Sequence, residues 1–142
     1  NQYSEQKKII SKIKEIFFDA KGINILFISS KEERYKRKVC EAILEVYKKW
    51  NKKIGTSELN RWFSSIWEIG SNQKIPGSLK FKYIAQNKIR PPTFNIYHNK
   101  NSKVHKVTKR YIVNKIREKF GFEGTPIRIN LMTSKNPFNT KK

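Results

Sequence analysis

His105-Lys106-Val107-Thr108-Lys109-Arg110-Tyr111-Ile112-Val113-Asn114-Lys115-Ile116-Arg117-Glu118-Lys119-Phe120, followed by Gly121-Phe122-Glu123-Gly124-Thr125-Pro126 and then Ile127-Arg128-Ile129-Asn130-Leu131-Met132, carries two hydrophobic periods in succession. In the first block Val107, Ile112, Ile116 and Phe120 recur at helical spacing, and Gly121 stops the helix. In the last block Ile127, Ile129 and Leu131 alternate with Arg128, Asn130 and Met132, the period of a strand. Working upstream, Asn99-Lys100-Asn101-Ser102-Lys103 is a polar loop, and Thr93 to His98 reads as a strand opened by Pro91-Pro92. Before it, Leu79, Phe81, Tyr83 and Ala85 alternate with Lys80, Lys82, Ile84 and Gln86, a strand with one polar face and a hairpin partner for 93–98. Gly55-Thr56-Ser57-Glu58 is a break, an N-cap and a first-turn acid, after which Leu59, Trp62, Phe63, Ile66 and Ile69 mark a helix to Gly70. The order from residue 55 is therefore α-β-β-α-β, an α+β sandwich with its helices on one face of a small sheet.

The first third has a different pattern. Ile9, Ile13, Ile16 and Phe17 give an amphipathic helix to about Ala20, and Gly22 ends it. Ile23-Asn24-Ile25-Leu26-Phe27-Ile28 is nearly continuous apolar sequence, which predicts a strand buried on both faces. From Glu32 to Asn51 the stripe Tyr35, Val39, Ile43, Val46, Tyr47, Trp50 predicts a second helix. Helix, strand, helix is half of an α/β unit, so the expected division is 1–54 and 55–142, with the first part needing a partner for its strand.

Across 142 residues, 32 Lys+Arg against 11 Asp+Glu leave a formal charge of +21, which points to a polyanionic partner. Residues 1–59 contribute +6 and residues 60–142 contribute +15, so the second part is the better candidate. A competing source of basicity is compositional drift, since 25 of these side chains are Lys beside 13 Asn and 19 Ile, and the seven Arg therefore carry more weight. The single cysteine, Cys40, excludes an internal disulfide, no Cys/His cluster has metal-ligand spacing, and no apolar run reaches transmembrane length. A cytoplasmic location away from the membrane fits this composition.

Three stretches resemble one family: Ala42-Ile43-Leu44-Glu45-Val46-Tyr47 through Trp50-Asn51 to Thr56-Ser57-Glu58-Leu59-Asn60-Arg61; Pro91-Pro92-Thr93-Phe94; and Lys109-Arg110-Tyr111 through Gly121-Phe122-Glu123-Gly124-Thr125-Pro126-Ile127-Arg128, near Asn136-Pro137-Phe138. Together they are similar to the C-terminus of the Der (EngA) family of bacterial GTPases, which carry two tandem G domains and a KH-like domain. The resemblance implies that 1–54 is the last helix, strand and helix of the second G domain and 55–142 the KH-like domain. It also implies a role in late assembly of the large ribosomal subunit. The implied partners are that subunit, its rRNA and the protein's own G domains, and the implied cofactors are GTP or GDP with Mg in the full-length protein. No G-x-x-x-x-G-K-[ST] phosphate loop occurs in this chain, so no GTP hydrolysis by that route and no bound nucleotide are expected of it alone. Ser29-Ser30-Lys31 stands where the family has its guanine-contacting Ser-Ala loop, with Ser30 in place of the usual Ala; read from the residues alone it is a strand end and helix cap.

Gly121-Phe122-Glu123-Gly124 matches the literal G-x-x-G of an RNA-gripping KH loop, but a Thr-Pro strand start follows instead of a second helix, so a helix C-cap is the expected role. RNA contact is then assigned to surface cations: Arg90, Lys103, Lys106, Lys109, Arg110 and Arg117, several of them three or four apart on one helix. The alternative for these, and for Lys80 and Lys82, is an ordinary solvated face. Trp62, Trp67, Tyr83, Phe94 and Tyr97 are possible base-stacking rings, with Trp62 and Phe94 assigned to the core and Trp67 and Tyr97 open to an interdomain contact. His98 and His105 receive neither a catalytic nor a metal role.

Overall fold

The computed structural model describes residues 1–17, 22–68, 80–99 and 106–133. Its elements are helices α1 (Gln2–Ile16), α2 (Tyr35–Trp50) and α3 (Thr56–Glu68), strands β1 (Phe81–Lys88) and β2 (Thr93–His98), helix α4 (Lys106–Phe120) and strand β3 (Arg128–Thr133). The sheet order is β1-β2-β3, with β1 antiparallel and β3 parallel to the central β2. The α-β-β-α-β order expected from residue 55 onward is present.

The core lies between the sheet and helices α3 and α4. Leu59 and Phe63 from α3, Ile84, Phe94 and Ile96 from the strands, and Ile112, Ile116 and Phe120 from α4 are all buried. Each such side chain contributes roughly 1.5–3 kcal/mol through removal from water. Phe122 lies edge-on to Phe94 at 6.1 Å, and Phe63 edge-on to Phe81 at 5.7 Å, so both ends of the sheet are closed by aromatic contacts. On α4 the buried position nearest the N-terminus is Thr108, whereas Val107 is exposed, so the buried stripe starts one residue later than the apolar pattern suggests.

Two carboxamides tie β1 to the residues before it. The edge of β1 that faces away from β2 is met by Asn60: Ile84 N–H donates to Asn60 Oδ1 at 2.9 Å, and Asn60 Nδ2 donates to the Ile84 carbonyl at 2.9 Å. Gln86 does the same for the linker, accepting from Ile54 N–H at 2.8 Å and donating to the Lys52 carbonyl at 3.0 Å. Each side chain thus takes the place of a strand neighbour and satisfies backbone groups that would otherwise be orphaned.

Two expectations are corrected. Residues 23–28 form no strand: the segment is irregular, with Leu26, Phe27 and Ile28 exposed. A strand buried on both faces requires neighbours on both edges and both sides, and among the described residues no strand pairs with it. In β1 the alternation is out of phase with the simple pattern. Tyr83 pairs with Tyr97 while Phe81 pairs with His98, so Lys82 is an extra residue at a bulge. Beyond it Ile84 and Gln86 face the helices, and Tyr83 and Ala85 face the other way.

Candidate nucleic-acid interface

The cations named from the sequence fall into three places. Lys106, Lys109 and Arg110 are exposed on the first turns of α4, and Arg90 is exposed in the turn between β1 and β2. Lys103 and His105 lie outside the described residues, as does the side chain of Trp67. Arg117 is corrected: it is 4 % exposed and approaches Asn114 Oδ1 at 3.3 Å, so it belongs to the packed interior. Helical periodicity places it on the same side as Arg110, but that side is covered by the time the helix reaches its C-terminal half.

Arg90 has neighbours that spacing does not disclose. Arg128 N–H donates to the Pro92 carbonyl at 2.9 Å, and Thr93 is in register with both Lys88 and Arg128. Topology therefore gathers Lys88, Arg90 and Arg128 at one end of the sheet from two separate stretches. One sequence signal does report the overall field: residues 69–117 contain twelve Lys and Arg and no Asp or Glu. With no carboxylate in that run, its cations have no local counter-charge from their own segment.

The face of the sheet turned away from α3 and α4 carries a second feature. Tyr83 and Tyr97 stack in parallel, centroids 4.6 Å apart and planes 8° from coplanar. The Tyr83 phenol is held above its ordinary value of 10.0, first by desolvation, then by the Tyr97 charge and by a hydrogen bond with Tyr97, so it stays protonated at neutral pH. By contrast Trp62 packs edge-on to Phe120 at 5.0 Å and Phe94 is fully buried, both as assigned from the sequence.

The glycine turn is a helix cap. Gly121 adopts φ +70°, and the amides of Gly121 and Phe122 both donate to the Arg117 carbonyl, at 3.0 and 3.1 Å. Thr125 N–H turns back to the Phe122 carbonyl, and an irregular segment leads directly into β3. A phosphate grip requires amides aimed outward between two helices, and here they close the end of one.

Ser29, Ser30 and Lys31 form an exposed turn after the irregular segment. Glu32 N–H donates to the Ser29 carbonyl, and Lys31 N–H reaches the Ser29 hydroxyl at 3.4 Å. Ser29 borders an open depression of about 360 Å³ between α1 and the start of α2. The amides of Lys31 and Glu32 are thus used within the turn itself. Among the described residues no group of His, Cys, Asp and Glu is placed to hold a metal ion. Nor is any described helix long and apolar enough to cross a membrane.

A three-stranded mixed sheet with two helices on one face is the α+β arrangement of a KH-like domain. The family model for the KH-domain-like C-terminal region of EngA bacterial GTPase enzymes matches residues 53–131. The chain belongs to the EngA family. The GTPase Der of Rickettsia bellii (strain OSU 85-389) is 41 % identical over 120 residues, covering 83 % of this chain and 26 % of that protein. The GTPase Der of Rickettsia rickettsii (strain Sheila Smith) is 42 % identical over 120 residues, covering 83 % and 27 %. The chain thus spans about a quarter of the length of the curated EngA relatives it matches.

Proposed function

We propose that this chain is the C-terminal part of a GTP-binding protein of late ribosome biogenesis, acting in assembly of the large subunit in the cytoplasm. In this reading residues 55–142 are the KH-like domain and contact rRNA through Arg90, Lys103, Lys106, Lys109 and Arg110, while residues 1–54 close the second G domain. GTP or GDP and Mg bind elsewhere in the intact protein, and Ser29 to Lys31 contribute only a main-chain edge beside the guanine. The observation that carries the reading is the acid-free, twelve-cation run of residues 69–117 within an EngA KH-like fold. Of the twelve, Arg117 is buried and Lys115 pairs with Glu118; the remaining positive charge attracts a polyanion over long range.

A free-standing RNA-binding module is the competing reading, and the surface of the first third argues against it. No residue of α1 or α2 is buried, and Leu26, Phe27, Ile28, Ile43, Leu44 and Tyr47 are all exposed. That apolar surface suits docking on the rest of a G domain. Docking would also couple the two functions, because whatever shifts the KH-like domain on the G domains must shift nucleotide affinity equally.

Co-sedimentation of the intact protein with large ribosomal subunits in sucrose gradients tests the assignment. The wild type is expected to travel with the subunit in the presence of a non-hydrolysable GTP analogue, and Arg110→Glu to reduce the bound fraction several-fold. Failure of the wild type to sediment with the subunit defeats the reading; unaltered binding by the variant removes Arg110 from the contact surface.

A further inference from the structure

The open face of the sheet has no role in the proposed contact through α4. Among the described residues the helices that pack on the strands are α3 against β1 and α4 against β3, both through the inner face. On the outer face Tyr83, Tyr97 and Met132 lie in one cross-strand row, since Tyr83 pairs with Tyr97 and Tyr97 with Met132. Tyr83 and Met132 are 41 % and 42 % exposed, so this row is an accessible apolar strip. In the adjacent row Asn130 Nδ2 donates to Asn95 Oδ1 at 2.9 Å, and the pair keeps further side-chain donors at both Nδ2 atoms and an acceptor at Asn130 Oδ1.

The rim of this face is cationic. Lys82 is exposed at the bulge beside Tyr83, and Lys88 and Arg128 are exposed at the far end, on either side of Thr93. The three strands contain no carboxylate. Flat rings, a polar pair able to donate and accept, and a cationic border match the needs of bases splayed from an unpaired strand whose phosphates run along the edge. A duplex cannot stack on such a face, because its bases are stacked on one another and it presents only base edges, 2′-hydroxyls and phosphates.

We propose that the outer face of the β1-β2-β3 sheet binds single-stranded RNA, with unpaired bases stacking against the Tyr83–Tyr97 pair and phosphates held by Lys82, Lys88 and Arg128. This rests on the reading of the chain as an rRNA-contacting domain and assigns it a second contact: α4 meets backbone phosphate of any RNA, and the sheet selects unpaired segments. It involves neither the glycine turn nor the inner face of the sheet.

Fluorescence anisotropy with the full chain tests it, using a labelled, non-pairing RNA of roughly ten nucleotides and a duplex of equal length. Wild type is expected to prefer the single strand. Tyr97→Ala is expected to weaken single-strand binding ~5- to 150-fold, the equivalent of one lost base stack, and to leave duplex binding unchanged. Tyr97→Phe keeps the ring and should restore most of the affinity. Asn130→Asp, an exposed change that puts a negative charge on the same face, should lower single-strand affinity even if Tyr97→Ala fails to fold. Single-strand binding by Tyr97→Ala and Asn130→Asp within two-fold of wild type overturns the proposal while leaving the rRNA reading intact. If those variants lose only their association with the large subunit, the face docks protein and the proposal falls. No binding of either RNA by wild type defeats both.

Discussion

Arg110 and Arg117 show how far a single residue's role can be read from its spacing. Both lie on α4, seven positions apart, where helical geometry places them on one side. Arg110 is exposed and Arg117 is 4 % exposed, because the C-terminal half of the helix is covered where the N-terminal half is not. Charge alone suggested the same use for both; burial separates them. A buried guanidinium contributes through the packing of its methylenes and through hydrogen bonds made away from water. Arg117→Ala is therefore expected to lower unfolding free energy by about 2 kcal/mol or more, measured by urea denaturation. The same change at exposed Lys106 should stay within about 0.5 kcal/mol of wild type. If the two variants are equally stable, Arg117 has no structural role. The glycine turn was readable at this scale for a physical reason: Ile127, Ile129 and Leu131 alternate at the period of a strand, so Gly121-Phe122-Glu123-Gly124 is followed by a strand and ends one helix rather than joining two.

At the scale of the element, β2 and β3 were legible because each keeps one hydrophobic period, and α4 because Ile112, Ile116 and Phe120 keep helical spacing although Val107 falls off the buried stripe. The elements that were not legible fail where that period depends on something outside them. In β1 the bulge at Lys82 reverses the faces from Tyr83 to Gln86, which turns Tyr83, placed on one face with Phe81 by simple alternation, to the outer side. The end-of-sheet cluster of Lys88, Arg90 and Arg128 depends on strand register, which spacing along the chain does not contain. The α3–β1 contact depends on Asn60, a polar residue between Leu59 and Arg61 that pattern reading passes over. Its carboxamide bonds both backbone groups of Ile84, so Asn60→Ala leaves a buried N–H and C=O without partners. Such a loss costs roughly 1–3 kcal/mol for each group, and a decrease of about 2–4 kcal/mol is expected in chemical denaturation. Asn60→Asp preserves the acceptor for Ile84 N–H but not the donor to its carbonyl, and should be destabilising too. A loss below about 0.5 kcal/mol in Asn60→Ala would mean that water replaces the carboxamide and that β1 is an ordinary exposed edge.

Over the whole molecule the chain divides by packing density. Residues 54 to 131 hold all the buried hydrophobic residues among those described, while α1 and α2 contain none and present Ile9, Ile43, Leu44 and Tyr47 to solvent. Among the described residues the first third is attached by a few contacts: Lys52 Nζ donates to the Phe120 carbonyl at 2.7 Å, Gln86 bonds the backbone of Lys52 and Ile54, Lys49 faces Glu123, and Gly22 lies against Glu123 and Gly124. A helix with no buried side chain has little beyond its own propensity to hold it, and short isolated helices are marginal in water. Hydrogen exchange read by mass spectrometry on the full chain should therefore find amides of α1 and α2 exchanging orders of magnitude faster than those of β2 and α4, which open only with the core. In the intact protein, where the proposed remainder of the G domain is present, protection of α1 and α2 should rise toward that of α4 while β2 changes little. Equal protection of α2 and α4 in the full chain would show that the first third is stable on its own, and the case for a G domain completing it would lose its physical basis.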